Sequence, residues 1–341
     1  MLSIIIPTFN RREIVKETLQ NLSDSGELRE YAHEIIVVND GSVKLSDLEN
    51  AYDGLNVKVV KNTGKGAAAA RNFGAKTASY ELLLFIDDDI LPVGGAISQI
   101  IEFHKNNRNC LLSGTWIYSP EVLQNLQRTP FGRFKIENDY VCMGGVEKKP
   151  LAENLYESES LASFCLSATK ETYEKIGGFN ENFPFAGCED QEFSIKAGNL
   201  GVKLNYLTSV KTYHNELDRG DKQRWMRRQF TGIQGFPLLC EIYPERKKSP
   251  LYRENVPLAK EDDLKLKIKK AFKKIAYGKA GFYTLNVLTG ALEKTFAAQT
   301  ILNRFYRLMG GMMIYQGFQI GRRNLPDLEK TSPQTQKNRL A

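Results

Sequence analysis

The chain has 341 residues, of which 42% are hydrophobic and 26% are charged, and its formal net charge is +7. This length suits one large domain with an appendage or two domains, and the 27 glycines and 12 prolines exclude a collagen-like or largely disordered chain. The positive charge favours an anionic partner, which means a nucleic acid, an anionic membrane face or a phosphorylated substrate.

The five cysteines lie far apart and form no C-x-x-C pair. This spacing is typical of free thiols in a reducing compartment rather than of a disulfide framework or a zinc site. The sequence has no recognisable secretory signal and no uncharged stretch long enough to span a membrane. The expected location is therefore cytoplasmic, with a peripheral position on the inner face of the plasma membrane as an alternative.

Strand-like apolar runs alternate with helical patterns in the first part of the chain. Residues 12–22 and 67–78 have the spacing of helices, and each lies between two of the runs. This alternation predicts βαβ units and an α/β fold with a mostly parallel sheet flanked by helices. The four predicted strands are Leu2–Ile6, Glu34–Val38, Val57–Val60 and Leu82–Ile86.

The middle of the chain has a weaker pattern. A helix is predicted over Val93–Phe103 and a strand over Leu111–Ile117. Two strand-like runs, Lys203–Leu207 and Val210–Tyr213, follow later. The polar residues 130–160 have no regular period, so they are predicted to form an irregular flap over the ligand site.

Three aspartates, Asp87, Asp88 and Asp89, directly follow the last of the four N-terminal runs. Burying charge in an apolar interior is costly and adjacent carboxylates repel one another, so a positive group should neutralise them. A divalent cation suits this role because hard cations take carboxylate oxygens. Asp87 and Asp89 bracket one residue, so on an extended chain they point the same way. The alternative is a solvated acidic loop.

Polar residues also follow the other three runs. Ligands of open α/β sheets bind beyond the carboxyl ends of the strands, so these segments should converge on one site. The segments are Pro7–Arg11, Asn39–Ser42 and Asn62–Lys65.

Five segments resemble the ordered motifs of glycosyltransferase family 2, of the type that builds bacterial surface polysaccharides. The resemblance covers about residues 1–215. It implies an inverting enzyme with the GT-A fold, a nucleotide-sugar donor expected to be UDP-linked, and a divalent metal cofactor, Mn²⁺ or Mg²⁺. The segments are Leu2–Arg11, Glu34–Ser42, Asn62–Ala78, Phe85–Pro92 and Gly177–Phe193.

The resemblance also assigns roles to the acids. Asp190 is expected to be the general base and Glu189 to orient the acceptor hydroxyl, with the reverse assignment left open. Both open a predicted helix, whose dipole favours acids on structural grounds alone. Asp89 is expected to coordinate the metal and Asp87 to contact metal or ribose. His214 is expected to complete the metal shell, although a lone histidine is more often structural.

The donor nucleotide is expected at the ends of the first strands. Asp40 precedes a Gly-Ser turn, so its carboxylate can accept a hydrogen bond from a base N–H, which the resemblance identifies as uracil. An Asx turn or a helix cap is the alternative. Arg71 is expected to reach a phosphate or the base from a helix whose alanines pack close to the sheet, and a solvated helix charge is the alternative. The other expected contacts are Pro7, Thr8, Asn10, Arg11, Gly64, Asp87 and Asp88, the last with ribose or a structural partner.

The C-terminal part contains a lysine-rich predicted helix. Residues 264–279 contain seven lysines and no acid, while Leu264, Ile268 and Phe272 fall on one helical face. One interpretation is the solvated face of a helical appendage. The other, which we slightly prefer, is an in-plane anchor on anionic lipid that presents the site to a lipid-linked acceptor. Nucleic acid is not an expected partner because the chain has no recognised nucleic-acid-binding module.

The predicted organisation has three parts. Residues 1–217 form a GT-A catalytic domain, with a nucleotide-binding half at 1–92 and an acceptor-binding half at 93–217. A basic helical region at 218–323 and a disordered tail at 324–341 follow.

Processive synthases of the same broad family carry a Q-x-x-R-W motif. The corresponding Gln223-Arg224-Trp225 lacks the two-residue spacer, so transfer of a single sugar is expected. Trp225 is expected either to stack on an acceptor sugar or to pack in a core.

Two other classes of function are compatible with a related fold. A sugar nucleotidyltransferase needs a G-G-x-G-T-R-like loop after the first strand, where this chain has Pro7-Thr8-Phe9-Asn10. A non-catalytic saccharide-binding or membrane-adaptor protein would be expected to lose the acids at 87–89 or 189–190, and these are present. A metal-assisted, non-processive glycosyltransferase of cell-surface glycan synthesis is therefore the leading hypothesis.

Overall fold

The structure, a computed structural model, describes residues 1–144, 148–183, 185, 187–215, 220–295 and 298–325. The chain divides into two compact units, the first ending at Asp221 and the second beginning at Lys222. The expected boundary between residues 217 and 218 lies outside the described residues, and so does the expected tail from residue 326 onwards.

The N-terminal half of the first unit consists of β1 (Leu2–Thr8), α1 (Arg12–Ser25), β2 (His33–Asn39), β3 (Val57–Lys61), α2 (Gly66–Thr77) and β4 (Leu82–Ile86). Its strands are all parallel in the order β3-β2-β1-β4, and Ile4 pairs with Ile35 on one side and with Leu84 on the other. The predicted βαβ pattern is therefore confirmed.

The rest of the first unit contains β5 (Ile90–Val93), α3 (Ala96–Asn106), β6 (Cys110–Ile117), α4 (Pro120–Gln127), α5 (Pro130–Gly144), β7 (Lys148–Ala152), β8 (Leu155–Ser158), β9 (Cys165–Thr169), α6 (Lys170–Ile176), α7 (Glu189–Asn199) and β10 (Lys203–His214). In the described part of the chain, the ten strands form one sheet of order β3-β2-β1-β4-β9-β6-β10-β8-β7, with β5 paired to β10. The predicted α/β fold is confirmed. The sheet is mixed, because β9 runs antiparallel to both β4 and β6.

The described residues of the segment 130–160 are mostly in regular structure, which corrects the predicted irregularity of the flap. It contains α5 and an antiparallel hairpin of β7 and β8, and β8 pairs in turn with β10. The two strand-like runs at the end of the first unit also differ from the prediction. They form the single strand β10, whose register with β6 shifts between Tyr206 and Lys211.

The helix predicted from Val93 begins three residues later, at Ala96. Gly94 and Gly95 have φ angles of 55° and 79°, in the left-handed region that favours glycine. This turn separates α3 from β5, a short strand that the sequence pattern did not reveal.

The two faces of the sheet carry separate apolar clusters. Ile4 and Ile6 of β1 belong to the cluster on the side of α1 and α3, while Ile5 belongs to the cluster on the side of α2 and α7. A Cβ atom at Gly74 would lie 2.4 Å from Ile5 Cγ2, so α2 can approach the sheet this closely only with glycine there. The prediction that the alanines of α2 pack close to the sheet is confirmed by Ala68, Ala70 and Ala75, which belong to the same cluster as Ile5.

In its described residues, the second unit contains helices and no strands: α8 (Lys222–Gly232), α9 (Phe236–Ile242), α10 (Pro250–Arg253), α11 (Leu264–Ala276), α12 (Lys279–Glu293) and α13 (Gln299–Arg323). Trp225 of α8 is buried, and a Cβ atom at Gly310 of α13 would lie 2.6 Å from its Cη2 atom. Within the described residues, no helix is both long and apolar enough to span a membrane.

The lysine-rich helix α11 turns part of its charge towards its own unit. Lys270 and Lys273 are buried, at 6% and 8% exposure. Lys270 Nζ lies 2.6 Å from Asp262 Oδ2, and Lys273 Nζ lies 3.2 Å from Glu254 Oε2. A fully solvated lysine face therefore does not form, because acids that precede the helix in sequence pair with lysines inside it.

Candidate active site

The acidic rim, defined as Asp87, Asp88 and Asp89, lies at the carboxyl end of β4 in a turn before β5. The Ile90 N–H donates to the Asp87 carbonyl at 3.1 Å and closes this turn. β5 then pairs with β10 so that Ile90 lies opposite His214. As a result, His214 Nδ1 lies 3.9 Å from Asp89 Oδ1, and the two expected metal ligands meet although they are far apart in sequence.

Arg11 spans two carboxylates of the rim. Its Nη1 donates to Asp88 Oδ1 at 2.7 Å and its Nη2 donates to Asp89 Oδ2 at 2.9 Å. Thr8 Oγ1 donates to the other Asp88 oxygen at 2.6 Å. Both oxygens of Asp88 are thus engaged by the protein, and these contacts are those of a structural partner, one of the two roles expected for it.

Arg71 joins the rim to helix α7. It is 3% exposed, and its guanidinium donates to Asp87 Oδ1 at 2.7 Å and to Glu189 Oε1 at 3.2 Å. Its Cζ atom also lies 5.3 Å from the centre of the Phe179 ring. Arg71 is therefore not a solvated helix charge, which corrects that alternative. Among the described residues, its Nε atom has no hydrogen-bond partner.

The two acids that open α7 have different surroundings. Both oxygens of Glu189 are engaged, Oε1 by Arg71 and Oε2 by the Gly187 N–H at 2.6 Å. Asp190 is half-buried and accepts from the Gln191 N–H at 2.7 Å. Burial, reinforced by the negative charge of Glu189, raises the pKa of Asp190 to about 7. A carboxylate with this pKa can take up a proton near neutral pH, which a fully ion-paired acid does poorly.

Asp40 lies after β2 and ties two loops together. Its Oδ1 accepts from Asn62 Nδ2 at 2.7 Å, and its Oδ2 accepts from the N–H of Gly66, the first residue of α2, at 2.9 Å. These contacts match the structural alternative of a turn or cap. Each carboxylate oxygen has a second lone pair, so the predicted contact with a base stays a prediction.

The loop after β1 is held against the loop after β2. Asn10 has a φ angle of 56°, and its Oδ1 accepts from the Ser42 N–H at 2.8 Å and the Val43 N–H at 3.2 Å. A Cβ atom at Gly41 would lie 2.2 Å from this oxygen, so glycine is needed there. Asn10 thus shapes the expected nucleotide site through the backbone.

Pro7 and Gly64 complete the expected set. Pro7 lies near the end of β1, in register with Val38. The Gly64 N–H donates to Asn62 Oδ1 at 3.1 Å, and a Cβ atom at Gly64 would lie 2.6 Å from Ala69 Cβ. Gly64 therefore keeps the turn into α2 compact. Trp225 belongs to the second unit, where its burial agrees with the core-packing alternative, and its contact with an acceptor stays a prediction.

Two residues of this site were not predicted individually. Thr18 of α1 is fully buried, and its Oγ1 donates to the Asp88 carbonyl at 2.6 Å. Asn62 connects Asp40 with Gly64 through its side-chain amide. The available signals were a hydroxyl on the inward face of α1 and an amide directly after β3, and neither is distinctive in the sequence alone.

The residues at the rim fit a divalent cation only in part. Asp89 and His214 offer a carboxylate oxygen and an imidazole nitrogen, which are suitable ligands for Mn²⁺. No group of three or more His, Cys, Asp or Glu side chains is arranged to hold a metal within the described residues. A cation held here would therefore draw part of its ligand shell from a bound substrate, as diphosphate oxygens can provide.

Two family models match the first unit. Residues 3–159 match glycosyl transferase family 2, and residues 151–218 match the N-terminal domain of galactosyltransferase. Together these segments contain the rim, α7 and His214.

Individual proteins agree with this assignment. The chain is 29% identical over 243 residues to a hyaluronan synthase of Pasteurella multocida, which covers 63% of this chain but only 24% of the synthase. It is 25% identical over 305 residues to the poly(ribitol-phosphate) beta-N-acetylglucosaminyltransferase TarP of Staphylococcus aureus (strain N315), covering 86% of this chain and 81% of TarP.

A solved structure shows the same fold. The mannosyltransferase PcManGT from Pyrobaculum calidifontis, in complex with GDP-Man and Mn²⁺, has a TM-score of 0.54 at 15% identity. The match covers 95% of this chain and 87% of that one. Sequence and fold thus agree: residues 3–159 form a domain of glycosyl transferase family 2, and the protein has the GT-A fold.

Proposed function

We propose that this protein transfers a sugar from a nucleotide-diphosphate donor to an acceptor hydroxyl, with inversion and one sugar at a time. The observation that carries the proposal is the placement of Asp190. It has a pKa of about 7 and follows Glu189, which Arg71 ties to Asp87 of the rim. The candidate proton acceptor thereby directly follows a residue that Arg71 links to an acid expected to bind the donor.

The reaction follows from these positions. Asp190 takes the proton of the acceptor hydroxyl, and the hydroxyl oxygen forms a bond to the anomeric carbon of the donor. The bond from that carbon to the diphosphate breaks on the opposite face, and the electron pair leaves with the nucleoside diphosphate. Glu189 is engaged by Arg71 and by the Gly187 N–H at the start of α7, so we assign the base role to Asp190.

Cationic groups at the rim suit a diphosphate. Arg11 and Arg71 both lie at the carboxyl ends of the strands, and the buried Nε–H of Arg71 can donate to a phosphate oxygen. When bound, a divalent cation stabilises the charge on the departing diphosphate. Asp89 and His214 would hold that cation, with Asp87 as the further candidate. The Mn²⁺ in the mannosyltransferase complex supports a cation of this class.

We propose UDP as the nucleotide and single-sugar transfer as the outcome. Asp40 occupies the position to which the family resemblance assigns a uracil contact, and its oxygens have lone pairs left for a base N–H. The spacing of Gln223-Arg224-Trp225 and the burial of Trp225 in the second unit disfavour a processive-type motif.

The proposed setting is cell-surface glycan synthesis. By their names, the first relative synthesises hyaluronan and TarP transfers N-acetylglucosamine to poly(ribitol phosphate), which supports a glycan or related polymer as the acceptor. We place the protein in the cytoplasm, in peripheral contact with the inner face of the plasma membrane, and expect no nucleic-acid partner.

The other two classes have less support. The turn Pro7-Thr8-Phe9-Asn10 is not the glycine-rich loop of a nucleotidyltransferase. A non-catalytic adaptor would not be expected to keep the rim, Arg71 and the acids of α7 in one connected network.

The test is a panel of nucleotide sugars incubated with saccharide and lipid-linked acceptors, with release of nucleoside diphosphate as the readout. Release should require an acceptor and should fall when a chelator removes divalent cations. The anomeric configuration of the product, determined by NMR, should be opposite to that of the donor. Equal activity with and without chelator would contradict the metal-assisted part, and retained configuration would contradict the single displacement.

A further inference from the structure

Helix α11 presents its apolar side to solvent. Leu264 is 74% exposed, Ile268 61%, Phe272 56% and Ile275 83%. These residues recur every three or four positions, so they form one face of the helix. The opposite side is held inward by the buried pairs of Lys270 with Asp262 and Lys273 with Glu254. The orientation is therefore fixed by ion pairs, and it is the reverse of the usual burial of a helix's apolar face.

The next helix repeats this arrangement. On α12, Tyr283 is 70% exposed, Val287 53% and Leu288 51%, while Leu285 and Thr289 of the same helix are buried. Only Tyr277 and Gly278 separate α11 from α12. Two consecutive helices thus each expose an apolar face, which we call the apolar faces of α11 and α12. Large exposed apolar side chains in such numbers are unusual for a surface that meets only water.

The charges around these faces are positive. Lys265, Lys274 and Lys279 are exposed and pair with no acid among the described residues. The single acid of the two helices, Glu293, lies at the end of α12 and pairs with Lys222. Lysine is depleted at protein–protein interfaces, whereas apolar side chains bordered by lysines are typical of helices that lie in the surface of an anionic bilayer. The lysines therefore favour an anionic membrane, rather than another protein, as the partner that covers these apolar faces.

We propose that the apolar faces of α11 and α12 insert into the headgroup–acyl boundary of an anionic membrane, with Lys265, Lys274 and Lys279 at the lipid phosphates. The helices lie on the bilayer, in keeping with the lack of a membrane-spanning helix in the described residues. The binding energy comes chiefly from apolar burial, and the lysines add an electrostatic part that salt screens. This inference does not depend on the proposed transfer reaction.

The experiment is flotation of the full chain with vesicles of phosphatidylcholine alone and of phosphatidylcholine mixed with phosphatidylglycerol, at low and high salt. The wild type should bind the mixed vesicles at both salt concentrations. Ile268→Asp combined with Phe272→Asp should lower vesicle affinity by about tenfold or more at both. Lys265→Gln combined with Lys274→Gln should lower it only at low salt.

Leu151→Asp is the matched control, because Leu151 is a 49% exposed leucine in the first unit. It should bind vesicles like the wild type. All these positions are exposed, so melting temperatures should be unchanged, as should nucleoside diphosphate release with a water-soluble acceptor. The proposal is overturned if the wild type binds no vesicles, or if the Ile268/Phe272 variant binds as well as the wild type. It is also overturned if sedimentation shows wild-type self-association that this variant abolishes without any vesicle binding, since the occupant would then be a second copy of the chain.

Discussion

The acidic rim of the first unit and the lysine-rich helix of the second are both dense runs of a single charge, and both are partly neutralised from within the fold. In the rim, the counter-charges of Asp88 and Asp89 come from far along the chain, since Arg11 lies 77 and 78 residues away, whereas Arg71 lies 16 residues from Asp87. In α11 they come from close by, with Lys270 and Asp262 separated by eight residues. A charge run therefore does not by itself identify a ligand.

In each region, the internal ion pairs determine which side chains can contact a ligand. In the first unit, Asp89 Oδ1 faces His214 beside the pairs of Arg11 and Arg71 with the rim, and Asp190 follows Glu189 on α7. In α11, the inward lysines leave an apolar face outside. The first suits a diphosphate with its cation, and the second suits a lipid surface.

The largest effect on transfer should come from replacing Asp190, because we assign it the role of general base. Asp190→Asn should lower transfer by at least about 10²-fold, since the amide cannot accept the proton of the acceptor hydroxyl. Donor binding should persist, because the pairs of Arg11 and Arg71 with the rim are untouched. The measurements are nucleoside diphosphate release and calorimetric titration with the donor. Near-normal turnover of this variant would remove Asp190 from the base role.

The second effect concerns stability. It tests whether the buried ion pair of Arg71 with Glu189 contributes more to the free energy of unfolding than a surface pair does. Arg71→Met should lower the free energy of unfolding by about 3–5 kcal/mol, because it leaves the carboxylate of Glu189 buried without its counter-charge. Denaturant unfolding measures this loss. Arg12→Met is the matched control, since Arg12 pairs with Asp47 at the surface, and its stability should change little. Equal losses in both variants would contradict a special role for the buried pair.

The third effect is on the pH profile. Asp190 must be ionised to act as a base, and its pKa is raised to about 7, so kcat/KM should rise about tenfold per pH unit below that value and level off above it. Glu189→Gln removes the negative neighbour that helps to raise the pKa, so its acidic limb should shift to lower pH. An unchanged limb in Glu189→Gln would mean that a different group titrates.

Sequence patterns predicted the parts of this molecule that local periodicity controls. The four apolar runs became β1 to β4, because a buried strand needs consecutive apolar residues. β5 and the β7–β8 hairpin were missed because they are short and partly polar, and their pairing partner β10 is distant in sequence. The in-plane anchor preferred for α11 already required its apolar face to point outward. The ion pairs of α11 with Asp262 and Glu254 could not be foreseen, because hydrophobic spacing does not reveal which acids pair with which lysines.

At the site, the sequence identified the acids but not their counter-ions. Three carboxylates after an apolar strand predicted a positive partner, and a divalent cation was the expected one. The structure shows that Arg11 and Arg71 already supply two positive charges. Sequence spacing does not reveal which arginine folds back onto which acid, because those distances arise only when the sheet is assembled.

The smallest effect tests the competition between Arg11 and a cation at Asp89. Arg11 donates to Asp89 Oδ2 at 2.9 Å, so in the absence of donor its positive charge opposes a cation at the same carboxylate. Arg11→Gln should therefore tighten Mn²⁺ binding to the nucleotide-free protein by roughly tenfold, measured from the loss of the free-ion signal in electron paramagnetic resonance. Arg12→Gln, a neighbouring arginine paired with Asp47, should leave the affinity unchanged. If both variants bind Mn²⁺ like the wild type, Arg11 does not compete with the cation. If only Arg11→Gln binds Mn²⁺ more tightly, the guanidinium of Arg11 keeps the metal affinity of the rim low in the free protein. The donor diphosphate would then raise this affinity by supplying further ligands to the metal.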